Sequence, residues 1–147
     1  MNRPCMESTM TSRAEQWTPP NGPDPVALQA GEWWDAVRVP DTIGERALAF
    51  LGGHSGAVIQ DTYSTLYWLV TPSAAASWNL RGVHVLTATE GVATYLGVPP
   101  THRLTRPGTY WRVPFTQDWY LTDPWRLYKA LVHSTLTESD AAGEGSR

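Results

Sequence analysis

The sequence predicts an α+β domain: a single mostly antiparallel sheet with two main helices packed on it and disordered ends. Three observations lead there. Short runs of β-branched and aromatic residues recur between Gly-, Pro- and Asp-rich turns. Two stretches, after Pro40 and after Asp123, repeat apolar residues at helical spacing. The resulting order, β-α-β-β-(α)-β-β-β-α, puts strands beside strands, as an antiparallel sheet requires.

Each element has a local reason. Residues 1–30 read as a disordered leader, polar as far as Gln16 and then "WTPPNGPDP", whose four prolines exclude helix and central strand. "WWDAVRVP" reads as a strand stopped by Pro40. Its alternation puts Trp33 and Trp34 on opposite faces, one for the helix–sheet core and one for the far face or a groove. Asp41 is the expected helix cap, Glu45 lies in the first turn, and Gly52-Gly53 ends the helix. Ile43, Ala47, Phe50 and Leu51 fall on its apolar face.

"GAVIQD" and "TLYWLV" form a hairpin around "DTYS", and "PSAAASW" offers one helical turn from Pro72. "GVHVLTA" and "VATYLGVPP" read as a strand pair around "TEG". "TYWRVPF" is a short strand or edge segment, because Pro114 cannot donate to a ladder. Asp123 caps a last helix, with Pro124 at its first position, running to about Leu136. The domain therefore spans 31–136, and 137–147, "TESDAAGEGSR", reads as a disordered acidic tail.

Composition narrows the function classes. The chain has 147 residues, enough for one domain with a sizeable core, and eight Trp against two Phe. Trp combines large buried area with one N–H to satisfy, so many of these rings should line the core or a groove. The formal net charge is -3, which argues against coating nucleic acid by bulk attraction. The acidity sits in the leader and the tail, while 31–136 carries eight basic and eight acidic residues. Cys5 is the lone cysteine, so no intrachain disulfide forms. "ALAFL" and "LYWLV" are far short of the roughly 20 apolar residues a membrane span needs. "MNRPCMESTM" lacks the apolar stretch of a secretory signal, so a cytoplasmic location is expected.

Catalytic signatures are sparse. His54, His84, His102 and His133 are 30, 18 and 31 residues apart, without metal-ligand spacing, so no metal and no cofactor is expected. There is no Gly-x-Ser-x-Gly elbow, and "LGGHSG" is explained as a helix end and turn. Two-metal nucleotidyl transfer needs converging carboxylates, and Glu138-Ser-Asp140, the closest spacing, lies in the tail. No catalytic residue is assigned, and a non-enzyme is expected.

A binding surface is better supported. "GVPPTHRLTRPGTYWRVP" interleaves His102, Arg103, Arg106 and Arg112 with Tyr110 and Trp111, and arginines among aromatics can hold phosphates while a ring stacks a base. On the last helix Arg126, Lys129 and His133 share a face opposite Trp125, Tyr128 and Val132. Across 91–133 the balance is +3. The expected nucleic-acid or partner surface is Arg103, Arg106, Trp111, Arg112, Arg126 and Lys129. The plainer alternative is a solvated loop and the polar side of an amphipathic helix.

The blocks "WWDAVRVP", "GERAL", "GAVIQD", "LYWLV", "AAASW", "VHVL", "TYLGVPP", "YWRVP" and "YLTDP", over roughly 31–131, resemble a family of small Trp-rich actinomycete proteins of chromosomes and integrative, plasmid-like elements. Among that family are the Pra-type activators of element replication. Part of the pattern is also similar to the primase/polymerase amino-terminal domain of such elements, but its metal-binding strand carboxylates have no counterpart here. The resemblance implies a non-catalytic regulator of replication, with integration and excision following, whose partner is DNA or a replication or regulatory protein of the same element. A nucleotidyl-transfer enzyme and a small-molecule binding module with a Trp-lined cleft are the alternatives.

Overall fold

A computed structural model of the protein describes the backbone of residues 16–145 and the side chains of residues 16–136. Cys5, residues 1–15 of the expected leader and the side chains of the expected tail lie outside the described residues. The elements are β1 (Val26–Gln29), β2 (Asp35–Val39), α1 (Asp41–Leu51), a 3₁₀ turn (Gly52–His54), β3 (Val58–Gln60), β4 (Leu66–Val70), β5 (His84–Leu86), β6 (Tyr95–Val98), β7 (Tyr110–Val113) and α2 (Pro124–Gly145).

The class is α+β, with a five-stranded antiparallel sheet in the order β5-β2-β4-β3-β7 and a second, two-stranded sheet of β1 and β6. Strand β4 is buried along its whole length because both faces of the large sheet are covered. On one face Val37, Val39, Val58, Leu66, Trp68 and Val70 meet Ile43, Ala47 and Leu51 of α1 and Leu127, Ala130 and Leu131 of α2. On the other, Ala36, Ile59, Tyr67, Leu69 and Trp111 pack against Trp17, Trp34, Leu96 and Val98.

The β3–β4 hairpin forms as expected, and its turn has a clear chemical cause. Asp61 Oδ1 accepts the Tyr63 and Thr65 N–H groups at 2.9 and 3.0 Å, and Oδ2 accepts the Tyr67 hydroxyl at 2.9 Å. Gly52 ends α1, donating its N–H to Leu48 O. Asp123 caps α2 by accepting the Arg126 N–H at 2.9 Å.

Several expectations are corrected. The domain begins before residue 31: Trp17 is buried, and β1 pairs with β6 in the register Val26↔Val98 to Gln29↔Tyr95. Pro40, not Asp41, occupies the cap position of α1, and no side chain caps it. Phe50 points away from the core, 4.8 Å from the His133 ring. The segment after Pro72 forms successive turns, not a helix. The expected pairing across "TEG" shrinks to one bridge, Thr89↔Val92, since β5 joins β2 and β6 joins β1.

Trp33 and Trp34 do not divide between faces. Trp34 is buried and Trp33 half-buried, and both pack on the side away from the helices. The reason is that they precede the strand, in a turn closed by Gly31 N–H on Trp34 O at 2.8 Å, where strand alternation does not operate. Gly31 adopts φ 107°, and a Cβ there would meet Ala88 Cβ at 2.3 Å, so the turn requires glycine.

Candidate functional site

The expected basic surface is distributed over three settings. Arg103 Nη2 donates to Pro23 O at 3.0 Å and lies 3.5 Å from Asp24 Oδ1, tying the 99–110 loop to the segment before β1. Arg106 is exposed, its guanidinium 5.8 Å from the Tyr110 ring centroid. Arg112, on β7, pairs with Glu45 of α1 and donates to Gln60 Oε1 at 3.1 Å. That hydrogen-bonded guanidinium holds the Glu45 carboxyl below its ordinary range, and Glu45 raises Arg112 in return. Arg126 and Lys129 are exposed on α2.

Trp111 is not a stacking residue. It is 1% exposed, lies opposite Ile59 in the sheet, and donates its indole N–H to Pro99 O at 2.9 Å. The face of α2 is corrected as well. Its buried stripe is Leu127, Ala130, Leu131 and Ser134, while Trp125 is 62% exposed.

An exposed aromatic surface lies at the start of α2, flanked by two hollows that share Pro124. The first, about 540 Å³, is walled by Trp78, Trp125 and Tyr128, with Ser77 and Asn79 at its rim. Tyr128 links the walls: Trp78 is 5.2 Å away at 59°, and Trp125 is 6.0 Å away and nearly parallel at 12°. The Lys129 ammonium sits 5.4 Å from the Trp125 centroid. Trp78 is brought here by the turns after β4, anchored by the Ser73 N–H on buried Asp35 Oδ2 at 2.8 Å and by buried Ala75.

The second hollow, about 570 Å³, is more polar, with His54, Asp118, Trp119, Thr122, Asp123 and Arg126 among its lining. Its wall is pinned to the sheet. Thr122 N–H donates to Leu69 O at 2.9 Å, Thr122 Oγ1 accepts Gly56 N–H at 2.8 Å, and Trp119 Nε1 donates to Ser55 O at 3.2 Å. A Cβ on Gly56 would come within 2.9 Å of three oxygens on that wall, so only glycine permits the approach.

The first cleft is the better site for recognition. Its lining holds three aromatic rings and no ionised side chain, with polar groups only at the rim, the pattern of a ligand pocket. Among the described residues, no three of His, Cys, Asp and Glu gather as a metal-ligand set. Among them, too, no helix is long and apolar enough to cross a membrane. Sequence reasoning misses Trp78 and sets Trp125 on the helix face opposite Arg126, Lys129 and His133, not in a cleft. The available signal was the Leu127, Ala130, Leu131, Ser134 stripe, which turns Trp125 outward. No protein-family model, curated protein or solved structure matches this chain.

Proposed function

We propose that this chain is a non-enzymatic regulatory protein that promotes replication of an actinomycete mobile genetic element, with integration and excision following. It works in the cytoplasm by binding DNA or a replication or regulatory protein of the same element. The block pattern shared with the Trp-rich actinomycete proteins supports the biological setting. The observation that carries a binding role is Trp125, a large ring 62% exposed at the mouth of an aromatic cleft. Trp125 does not stand alone: Tyr128 and Trp78 join it in one contiguous aromatic patch, and contiguous patches mark interaction sites.

A second reading, a small-molecule binding module, is favoured by the size of that cleft. About 540 Å³ falls within the roughly 300–1,000 Å³ of ligand sites.

Two measurements test the regulatory reading. Deleting the gene from a host that carries the element should lower element copy number, and restoring it in trans should recover it. The purified protein, given Mg²⁺ or Mn²⁺, template and nucleotides, should make no primer or extension product. Product that disappears when a core Asp or Glu is replaced would overturn the non-enzyme assignment, and an unchanged copy number would overturn the replication role.

A further inference from the structure

We infer that the cleft beside the first turns of α2 takes a single-stranded nucleic acid, a base stacking on Trp125 and backbone phosphates seating on Lys129 and Arg126. This deepens the binding role proposed above and rests on it.

Three features of the surface converge on that occupant. Trp125 is 62% exposed, with the mobile end of Lys129 over its ring for a base to displace, and the nearly parallel Tyr128 and the tilted Trp78 continue the aromatic wall. Stacking on such a face needs a base free of a duplex, and any base will serve because each has a π-face. Ser77 and Asn79, exposed at the rim, can exchange hydrogen bonds with a base edge.

Charge then separates a nucleic acid from an apolar peptide. The cleft lining holds no carboxylate. Among the described residues, neither Arg126 nor Lys129 has a carboxylate within ion-pairing distance, whereas Arg103 and Arg112 are paired with Asp24 and Glu45. Lys129 lies over the Trp125 ring, and Arg126 and Lys129 together line a small groove with Phe50, Leu51 and His54, so two cations stand beside the cleft. Asp118 and Asp123 line the neighbouring hollow with Arg126, and neither forms an ion pair with it among the described residues; Asp123 is the helix cap. Its Oδ2 is engaged by the Arg126 N–H, which turns part of its charge toward the helix start. A proline-rich peptide would use the same rings but would gain nothing from the cations.

The test uses the full chain and a fluorescently labelled short oligothymidylate, titrated by anisotropy at two salt concentrations. A duplex of equal length and a proline-rich peptide serve as competitors. Binding should weaken with salt, and the oligothymidylate should outcompete the duplex. Trp125→Ala should weaken it by between about 5-fold and about 150-fold, the effect of one stacked base. Arg126→Gln should reduce the slope of log affinity against log salt by about 0.7 for one lost phosphate contact. Both side chains are exposed, so unchanged melting curves should accompany these losses. Absence of binding at low salt, equal affinity for duplex, no effect of Trp125→Ala, or displacement by the peptide alone each overturns the inference. If element copy number depends on the protein while no oligonucleotide binds, only this inference falls. If oligonucleotide binds through Trp125 while copy number is indifferent, the inference stands and the replication role falls.

Discussion

Trp111 and Trp125 show how position decides what an indole does. Trp111 is 1% exposed with its N–H on Pro99 O, so truncation leaves a cavity and an orphaned carbonyl. Trp111→Ala should cost about 3–5 kcal/mol, a large share of the stability of a small domain, while Trp125→Ala should change the melting midpoint little. Thermal melts of both variants check this, and a reversed order would place the core elsewhere. Tyr67 carries a pH signature. Burial, reinforced by its hydrogen bond to Asp61, pushes its hydroxyl up to about 12. The folded state therefore holds this proton more tightly than the unfolded chain, whose tyrosine titrates near 10. The stabilisation is complete below about pH 10 and is lost as pH rises toward 12. Tyr67→Phe should flatten the fall in stability across that window, and an unchanged alkaline profile would show that Tyr67 does not govern it.

At the scale of elements, α1 is clamped to the edge of the large sheet by the Arg112 contacts. Glu45 and Arg112 are each about half or a third exposed, so their ion pair alone is worth less than about 1 kcal/mol. Gln60 changes the balance. It is 2% exposed, and its Oε1 accepts from Arg112. Arg112→Ala should therefore destabilise by about 1–3 kcal/mol through the stranded amide oxygen, and Glu45→Ala by less than about 1 kcal/mol. Because the Glu45 carboxyl is lowered in the fold, its share is present above the ordinary carboxylate range and fades as pH falls. Denaturant melts at neutral and acid pH separate the two, and equal losses would remove Gln60 from the account. Some of these elements were legible in the sequence. The β3–β4 hairpin was, because Asp61 writes its turn locally. The partners of β5 and β6 were not, because two similar apolar strands are sorted by distant neighbours. The face of α2 was not, because Trp125 and Tyr128 dominate its apolar pattern, while the buried stripe includes the small residues Ala130 and Ser134. The cleft went unseen with it, since Trp78 and Trp125 meet only after that helix docks.

For the molecule as a whole, the segment before residue 31 completes the second layer of the fold. Prolines and polar residues disguise it, yet Trp17 is 8% exposed and its ring lies 5.8 Å from Trp34 and 5.7 Å from Phe115, edge to face. Gln117 Nε2 donates to Trp17 O at 3.0 Å, Arg103 holds Pro23 O, and β1 supplies half of the small sheet. Without this segment β6 loses its partner, and Trp34, packed directly on Trp17, opens toward water. A chain beginning at residue 16 and one beginning at residue 30 should therefore behave differently. The shorter chain loses the buried area of Trp17, a change of about 3–5 kcal/mol for one such side chain, together with every β1–β6 hydrogen bond. Against a total stability of about 5–15 kcal/mol, that loss should leave it partly unfolded at room temperature. Trp17→Ala in the full-length protein should fall between the two, since it keeps β1. Circular dichroism melts of the four proteins order them directly. A chain starting at residue 30 that melts with the full-length protein would mean that the large sheet and its two helices fold without the second layer.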